Sequence, residues 1–372
     1  MTIFLDYQST TPCDPAVVEA MRPYWSDLFG NPHSQHRHGW AAHGAVEVAR
    51  ERVARLAGVG ADNIVFTSGA TEANNLALKG AMAASARRRI VTVATEHSCV
   101  LETARWLERQ GHPLDIVGVG ADGLVDLDAL ARALGDDVAL VSVMLVNNEI
   151  GVIQPLAEIA ALAHAAGALV HCDAAQGFGK MSLSLDADLV SVTAHKMYGP
   201  KGVGALIVRP GVAIEPQMHG GGQEAKGLRS GTLPVPLVAG FGAAAALAAE
   251  RMDADAAHCE RLWGVVLAAI DVPHNINGST ARRWRGNLNI RFDGIDGDRL
   301  LADLKGLSVS SGAACASAVG RASHVLEAIG LTRREAKASL RIGWGRFTTE
   351  DEVRTAASMI NTAVRDQRKH AA

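Results

Sequence analysis

Between about residues 60 and 210, short apolar runs rich in β-branched side chains alternate with segments of helical spacing. The strand-like runs are 64–67, 90–93, 114–117, 140–144, 169–172 and 189–192. One intervening segment, 155–166, opens with a proline near its first turn and stops at Gly167, the expected helix punctuation. Nearly continuous apolar strands alternating with helices predict an α/β fold. Its central sheet should be mainly parallel, with helices on both faces. The run 233–249, opened by Pro234 and Pro236, is dominated by Ala and Gly. It is short and weakly apolar for a membrane span and predicts a buried or interfacial helix. Beyond residue 251 the texture changes to charged helices with strands at 287–292 and 340–342, which predicts a smaller α+β domain.

Composition adds exclusions. A chain of 372 residues has room for a sizeable core and two domains, and 48% hydrophobic with 20% charged residues is ordinary for a globular protein. A net charge of −3 supplies no global field toward nucleic acid or an anionic membrane, so neither is expected as a direct partner. The clusters Arg87-Arg88-Arg89 and Arg282-Arg283-Trp284-Arg285 read as solvated surface before a docking patch for an acidic protein. Five scattered cysteines (Cys13, Cys99, Cys172, Cys259 and Cys315) include no Cys-x-x-Cys pair. That argues against a disulfide framework or zinc ribbon and suits a reducing compartment. The first residues lack a basic stretch followed by an apolar one, so no secretory signal is expected and the cytoplasm is the expected location.

The chemistry gathers where strands end, because ligands of such sheets collect beyond the strands' carboxyl ends. Lys196 follows the run 189–192 and is flanked by Thr193, His195 and a Gly/Pro loop. Desolvation of an amine at such a site favours its neutral, nucleophilic form. Asp173 ends the run 169–172, twenty-three residues earlier. A strand-end carboxylate and a strand-end amine match what pyridoxal phosphate (PLP) needs for its ring nitrogen and its aldehyde. Ser68-Gly69-Ala70-Thr71 reads as a strand, a glycine turn and a helix start, an anion cradle to which Thr193 and His195 could add donors. Without a ligand the same residues would be a plain helix cap.

Other positions keep two readings. His97, after the run 90–93, could lie on a cofactor ring and move protons, or could be a turn histidine. Asn147-Asn148-Glu149 could orient cofactor and substrate, or serve ordinary loop chemistry. Cys315 sits in Ser310-Ser311-Gly312-Ala313-Ala314-Cys315-Ala316-Ser317, small residues that suit a mobile loop with an accessible thiol; the other four cysteines read as structural. Arg341, inside the run 340–342, is the candidate for a substrate carboxylate, and Arg346 for structure. His33, His36, His38 and His43 match no compact zinc spacing, and no metal is expected.

Taken together, these stretches resemble a known family. The chain is similar to class V, fold-type I PLP enzymes, and among them to the cysteine desulfurases of nitrogen-fixation and iron–sulfur-cluster type. The resemblance is carried by Leu5-Asp6-Tyr7 with Thr10-Thr11, Gly30-Asn31-Pro32, Phe66-Thr67-Ser68-Gly69-Ala70-Thr71-Glu72, Thr95-Glu96-His97 and Val146-Asn147-Asn148-Glu149-Ile150-Gly151. It continues through His195-Lys196, Tyr198-Gly199-Pro200-Lys201-Gly202, Gln217-Met218-His219-Gly220-Gly221-Gly222, Arg229-Ser230-Gly231-Thr232-Leu233-Pro234 and Ser310-Ser311-Gly312 with Ala314-Cys315.

The resemblance implies that Lys196 carries PLP covalently, that Asp173 meets the ring nitrogen and Gln176 the ring hydroxyl, and that His97 stacks on the ring. It implies a phosphate site from Ala70, Thr71, Thr193 and His195, completed by Thr232 of a neighbouring subunit in a homodimer. Asn148 and Arg341 would hold the carboxylate of L-cysteine, and Cys315 would take its sulfur, releasing alanine. A sulfur-acceptor protein such as an iron–sulfur scaffold is the implied partner. The implied domains are a large PLP-binding domain, 13–250, and a small domain from 1–12 and 251–372 that carries the Cys315 loop. Departures from the family pattern fall at Thr193-Ala194, which keeps a hydroxyl for the phosphate, at the residues flanking Cys315, which lose hydroxyls but stay small, and at Val319-Gly320-Arg321-Ala322, which bears on partner recognition more than on chemistry. The rival readings are selenocysteine lyase, another class V aminotransferase, or a non-catalytic member; the last would fit a chain lacking Lys196 or Asp173, and both are present.

Overall fold

A computed structural model describes residues 2–183, 186–221, 224, 227–311 and 323–371. The chain opens on a short strand, β1 (Ile3–Phe4), and then, after helices Pro15–Met21 and Arg37–Ala57, enters the main sheet. That sheet is built from β2 (Ile64–Thr67), β3 (Arg89–Val93), β4 (Leu114–Val117), β5 (Val138–Met144), β6 (Leu169–Asp173), β7 (Leu189–Thr193) and β8 (Gly204–Val208). Their spatial order is β2-β8-β7-β6-β5-β3-β4. The five strands β3 to β7 pair in parallel, whereas β8 runs antiparallel to both β7 and β2.

The unbroken apolar character of these strands follows from burial on both faces. Phe66, Val141 and Val192 join one core with helices Arg37–Ala57 and Val235–Ala269, while their neighbours Val65 and Leu140 join another beneath helices Ala70–Ala84 and Ser98–Arg109. Helix Leu156–Ala165 carries Pro155 at its N-cap, one position outside the expected first turn, and Gly167 leaves it at φ +72°.

Two elements differ from expectation. The antiparallel β8 is additional, and it turns the lysine loop into the connection between adjacent strands β7 and β8. The Ala-rich helix runs over Val235–Ala269, well past residue 249. Its first half gives Val238, Phe241 and Ala248 to the main core, and its second half gives Cys259, Leu262 and Trp263 to a second core. A division of the chain at residue 250 therefore falls inside one continuous helix. A Cβ on Gly242 would lie 2.6 Å from Ala49 Cβ, so glycine permits the close crossing of the two long helices. Val235–Ala269 is also long and apolar enough to cross a membrane, but half of its most apolar stretch is buried inside the fold.

The second core lies under an antiparallel sheet. Its strands are β9 (Asn275–Ile276), β10 (Asn287–Arg291), β12 (Ser310–Ser311) and β13 (Ser339–Gly343), while β1 pairs in parallel with β11 (Leu307–Ser308). Leu5 packs in this core with Leu288, Ile342 and Trp344.

A buried ion pair ties the first long helix to the sheet edge. Arg50 Nη1 and Nη2 reach the two oxygens of Glu224 at 2.5 and 3.0 Å, and the Phe66 amide donates to the same carboxylate. Removing Glu224 leaves the buried Arg50 with only the half-exposed Glu47 as a charged partner, so Glu224→Ala should cost about 3 kcal/mol in denaturant unfolding. A midpoint equal to that of the wild type would contradict this reading of the pair.

Candidate active site

One cavity of about 580 Å³ opens beyond the carboxyl ends of the parallel strands, and Asp173, Lys196, His97 and Arg341 all line it. Such a volume suits a small cofactor with an amino acid beside it.

Asp173, the last residue of β6, is buried at the cavity floor. Its Oδ2 accepts from Asn74 Nδ2 at 2.7 Å and its Oδ1 from the Ala175 amide at 3.0 Å. Both donors are neutral, so they fix the carboxylate without spending its charge on a cation. Lys196 closes the 3₁₀ turn Ala194–Lys196 directly after β7. Its Nζ donates to the Gln8 carbonyl and, at 2.7 Å, to that of Ser9.

These carbonyls belong to an N-terminal strap that crosses the lysine loop. Thr11 donates its amide and its hydroxyl to the His195 carbonyl at 2.9 and 3.0 Å, and accepts from the Tyr198 amide at 2.8 Å. Tyr198 adopts φ +65°, a left-handed conformation costly for a bulky side chain. Its hydroxyl accepts from the Arg346 amide at 2.7 Å, and the Arg346 guanidinium lies over its ring. Arg346 itself is tied to Asp14 and Asp255, so it braces the lysine loop from outside the cavity.

The turn Ser68-Gly69 delivers the N-terminus of helix Ala70–Ala84 to the cavity, where Ala70 and Thr71 line it opposite Thr193 and His195. A Cβ on Gly204 would come within 2.8 Å of Gly69 Cα, so this glycine lets the turn sit against β8. Thr193 Oγ1 donates to the Val203 carbonyl, and His195 Nδ1 lies 3.1 Å from Thr10 Oγ1. Burial, joined by the charges of Lys196, Lys201 and Lys180, pushes His195 down to about 4, so its ring is neutral at pH 7.

His97 caps helix Ser98–Arg109 by accepting the Cys99 amide on Nδ1 at 3.2 Å, which leaves the proton on Nε2. Burial lowers its pKa, with Lys196 and His324 pushing the same way and Asp173 opposing. Cys99, read from sequence as structural, also lines the cavity. Burial and the nearby Asp173 push its thiol up to about 12, so it is a protonated wall group.

Arg341 extends from β13 into the opposite side and is almost fully buried. It pairs with Asp6 at 2.8 Å and donates to the Asn148 carbonyl and Ser310 Oγ, each at 3.2 Å, while its Nε has no partner among the described residues. Asn148 lines the cavity, and the next residue, Glu149, accepts a 2.5 Å hydrogen bond from Ser323 Oγ. Gln176 donates Nε2 to the Gln8 carbonyl at 2.8 Å.

Two expected residues are not gathered here. Cys315 lies outside the described residues, between Ser311 and Ser323. Thr232 is exposed and does not line its own chain's cavity. His36 caps helix Arg37–Ala57 through Nδ1, and His38 stacks on Phe29. Among the described residues no cluster of His, Cys, Asp or Glu has the form of a metal site.

The site residues absent from the sequence reading are Asp6 and the Gln8 and Ser9 carbonyls, together with Asn74 behind Asp173. Asp6 stood in the quoted stretch Leu5-Asp6-Tyr7, but its meeting with Arg341 spans most of the chain. Asn74 carried the only available signal, four residues into the helix after the cradle.

Known proteins resemble this chain along nearly its whole length. The family described as aminotransferase class-V matches residues 3–355. The chain belongs to the class-V aminotransferase family. A relative named cysteine desulfurase IscS, from Rickettsia bellii, is 47% identical over 371 residues, covering 97% of this chain and 90% of the relative. A solved structure described as a NifS-like protein superposes with a TM-score of 0.92 at 36% identity, covering 98% of this chain and all of that one. Another, described as SspA in complex with cysteine, gives a TM-score of 0.84 at 34% identity over 94% of this chain and all of that one. Class-V enzymes of this kind are fold-type I proteins that use PLP. The residues present fit that group: a helix N-terminus for a phosphate, a buried carboxylate with no salt-bridge partner among the described residues, and an amine at the cavity edge.

Proposed function

We propose that this chain is a PLP-dependent cysteine desulfurase that converts L-cysteine to L-alanine and carries the released sulfur as a persulfide on Cys315. The observation that carries the reading is the joint placement of Lys196, Asp173, His97 and Arg341 around one cavity, in a chain closely related to proteins named as desulfurases. That relationship does not favour the alternatives of selenocysteine lyase or another class-V reaction.

When bound, PLP supplies an electron sink for charge developing at the substrate's Cα. The protein's part is to hold and to move protons. Asp173 would keep the ring nitrogen's proton in place, and Ala70, Thr71, Thr193 and His195 would hold the phosphate. Lys196 would hold the cofactor's aldehyde end, and its amine is the group placed to take the Cα proton. Arg341 and Asn148 would hold the substrate carboxylate; the Arg341 Nε, without a partner among the described residues, offers it a donor beside the Asp6 pair. His97 presents a neutral imidazole that can accept and return a proton as the Cβ–Sγ bond breaks. The Cys315 thiolate attacks the substrate sulfur, forming the S–S bond, and the electrons of the broken C–S bond end, with a proton, in alanine.

A homodimer is supported by the exposed aromatic side chains of Trp25, Phe29 and Trp40 at 63%, 67% and 63%, and by the outward position of Thr232. The large domain is taken as 13–250 and the small one as 1–12 with 251–372. Delivery of the persulfide sulfur to an iron–sulfur scaffold in the cytoplasm completes the reading. The test is product analysis with L-cysteine and a thiol reductant: equimolar alanine and sulfide are expected. A keto acid without sulfide would point instead to transamination.

A further inference from the structure

Lys180 lies outside the cavity yet is buried, in the turn that follows Asp173 and Gln176. Its Nζ makes one described hydrogen bond, to Gln176 Oε1 at 3.2 Å. An ammonium can only donate and the Gln8 carbonyl can only accept, so the Gln176 amide has one possible orientation. Its oxygen faces Lys180, and its NH₂ faces the Gln8 carbonyl at 2.8 Å. Lys196 Nζ donates to that same carbonyl. The chain of contacts therefore runs from the buried ammonium through Gln176 to the backbone oxygen that holds the reactive amine.

We infer that Lys180 is a positioning residue: it locks and polarises the Gln176 amide, so that a N–H and not an oxygen is presented to the ring oxygen of the cofactor beside Lys196. This rests on the reading of the cavity as a PLP site. A purely structural role explains the geometry poorly, because burying an ammonium against one neutral acceptor is costly. Burial brings Lys180 down to about 8, with Cys259 opposing, so the charge is present at neutral pH. The titratable groups around it are Cys259 on the long helix, and His195 on the lysine turn, which its charge helps to keep neutral. Around Lys196 stand Asp173, His97 and His195.

The consequence is a shifted titration. With the cofactor bound, the proton that changes its visible absorbance would sit on the Lys196 nitrogen. A nearby positive charge and a N–H donor on the ring oxygen both disfavour that proton. Lys180→Met keeps the stem and removes the charge, so the midpoint of the absorbance–pH titration should rise by about one pH unit, a tenfold change in proton affinity. Lys180→Arg should restore most of the wild-type midpoint.

Gln176→Leu breaks the same chain at its middle, removing both the N–H donor and the described acceptor of Lys180, and should raise the midpoint likewise. Adding Lys180→Met to it should give less than the sum of the two shifts. A wild-type midpoint in either single variant, or strict additivity in the pair, would overturn the inference. Wild-type protein with no cofactor absorbance would instead contradict the underlying PLP reading.

Discussion

Lys196→Ala should reduce alanine formation from L-cysteine by at least ~10³-fold, since it removes both the covalent anchor and the proton acceptor, and a positioned acid–base group alone contributes about 10²–10⁴. The variant should fold, because the lysine lies in a turn held by other bonds. Thr11 bonds the His195 carbonyl and the Tyr198 amide, and the Ala194 carbonyl accepts from Met197 and Gly199. The cofactor's characteristic absorbance should also be lost on gel filtration, because the covalent link is gone. The check is single-turnover and steady-state alanine assay with matched circular dichroism. Turnover within tenfold of wild type would remove Lys196 from the proposed chemistry.

Asp173→Asn is expected to have the next largest effect. The substitution keeps the shape, but it exchanges the charge for an amide that competes as a donor with Asn74 Nδ2 and the Ala175 amide. Loss of one charge-assisted hydrogen bond, about 1.5–3 kcal/mol, corresponds to roughly 10- to 100-fold in rate. The fall should appear in kcat with little change in the KM for L-cysteine, because Asp173 meets the cofactor and Arg341 meets the substrate. A rise in KM with kcat unchanged would contradict that division of labour.

The central strands were legible because burial on both faces leaves a run of apolar residues that no solvent-facing position interrupts, as in β5 and β7. β8 was not, because Gly204-Ala205-Leu206-Ile207-Val208 follows a glycine loop and pairs antiparallel where the alternating pattern suggested only crossovers. The long helix outran its apolar stretch because residues beyond Ala249 keep one buried face, through Cys259, Leu262 and Trp263, while their other faces turn polar.

In the site, Asp173 and Lys196 announced themselves by ending apolar strands, and Arg341 by standing inside one. The strap from Asp6 to Thr11 had no such signal, since its contacts join residues more than 180 positions apart and those to Lys196 are made by backbone carbonyls. Cys99 was misleading for a related reason: its helix position says nothing of the cavity that the neighbouring Asp173 and His97 enclose.

The central claim is that sulfur leaves L-cysteine by transfer to Cys315. The measurement that bears on it most directly is alanine and sulfide release by cofactor-loaded wild type and Cys315→Ala, with a thiol reductant present and cofactor absorbance recorded in both. The account predicts equimolar alanine and sulfide from the wild type, and neither beyond background from the variant with its cofactor still bound. Sulfide release by Cys315→Ala at the wild-type rate, or no alanine from the loaded wild type, would contradict it.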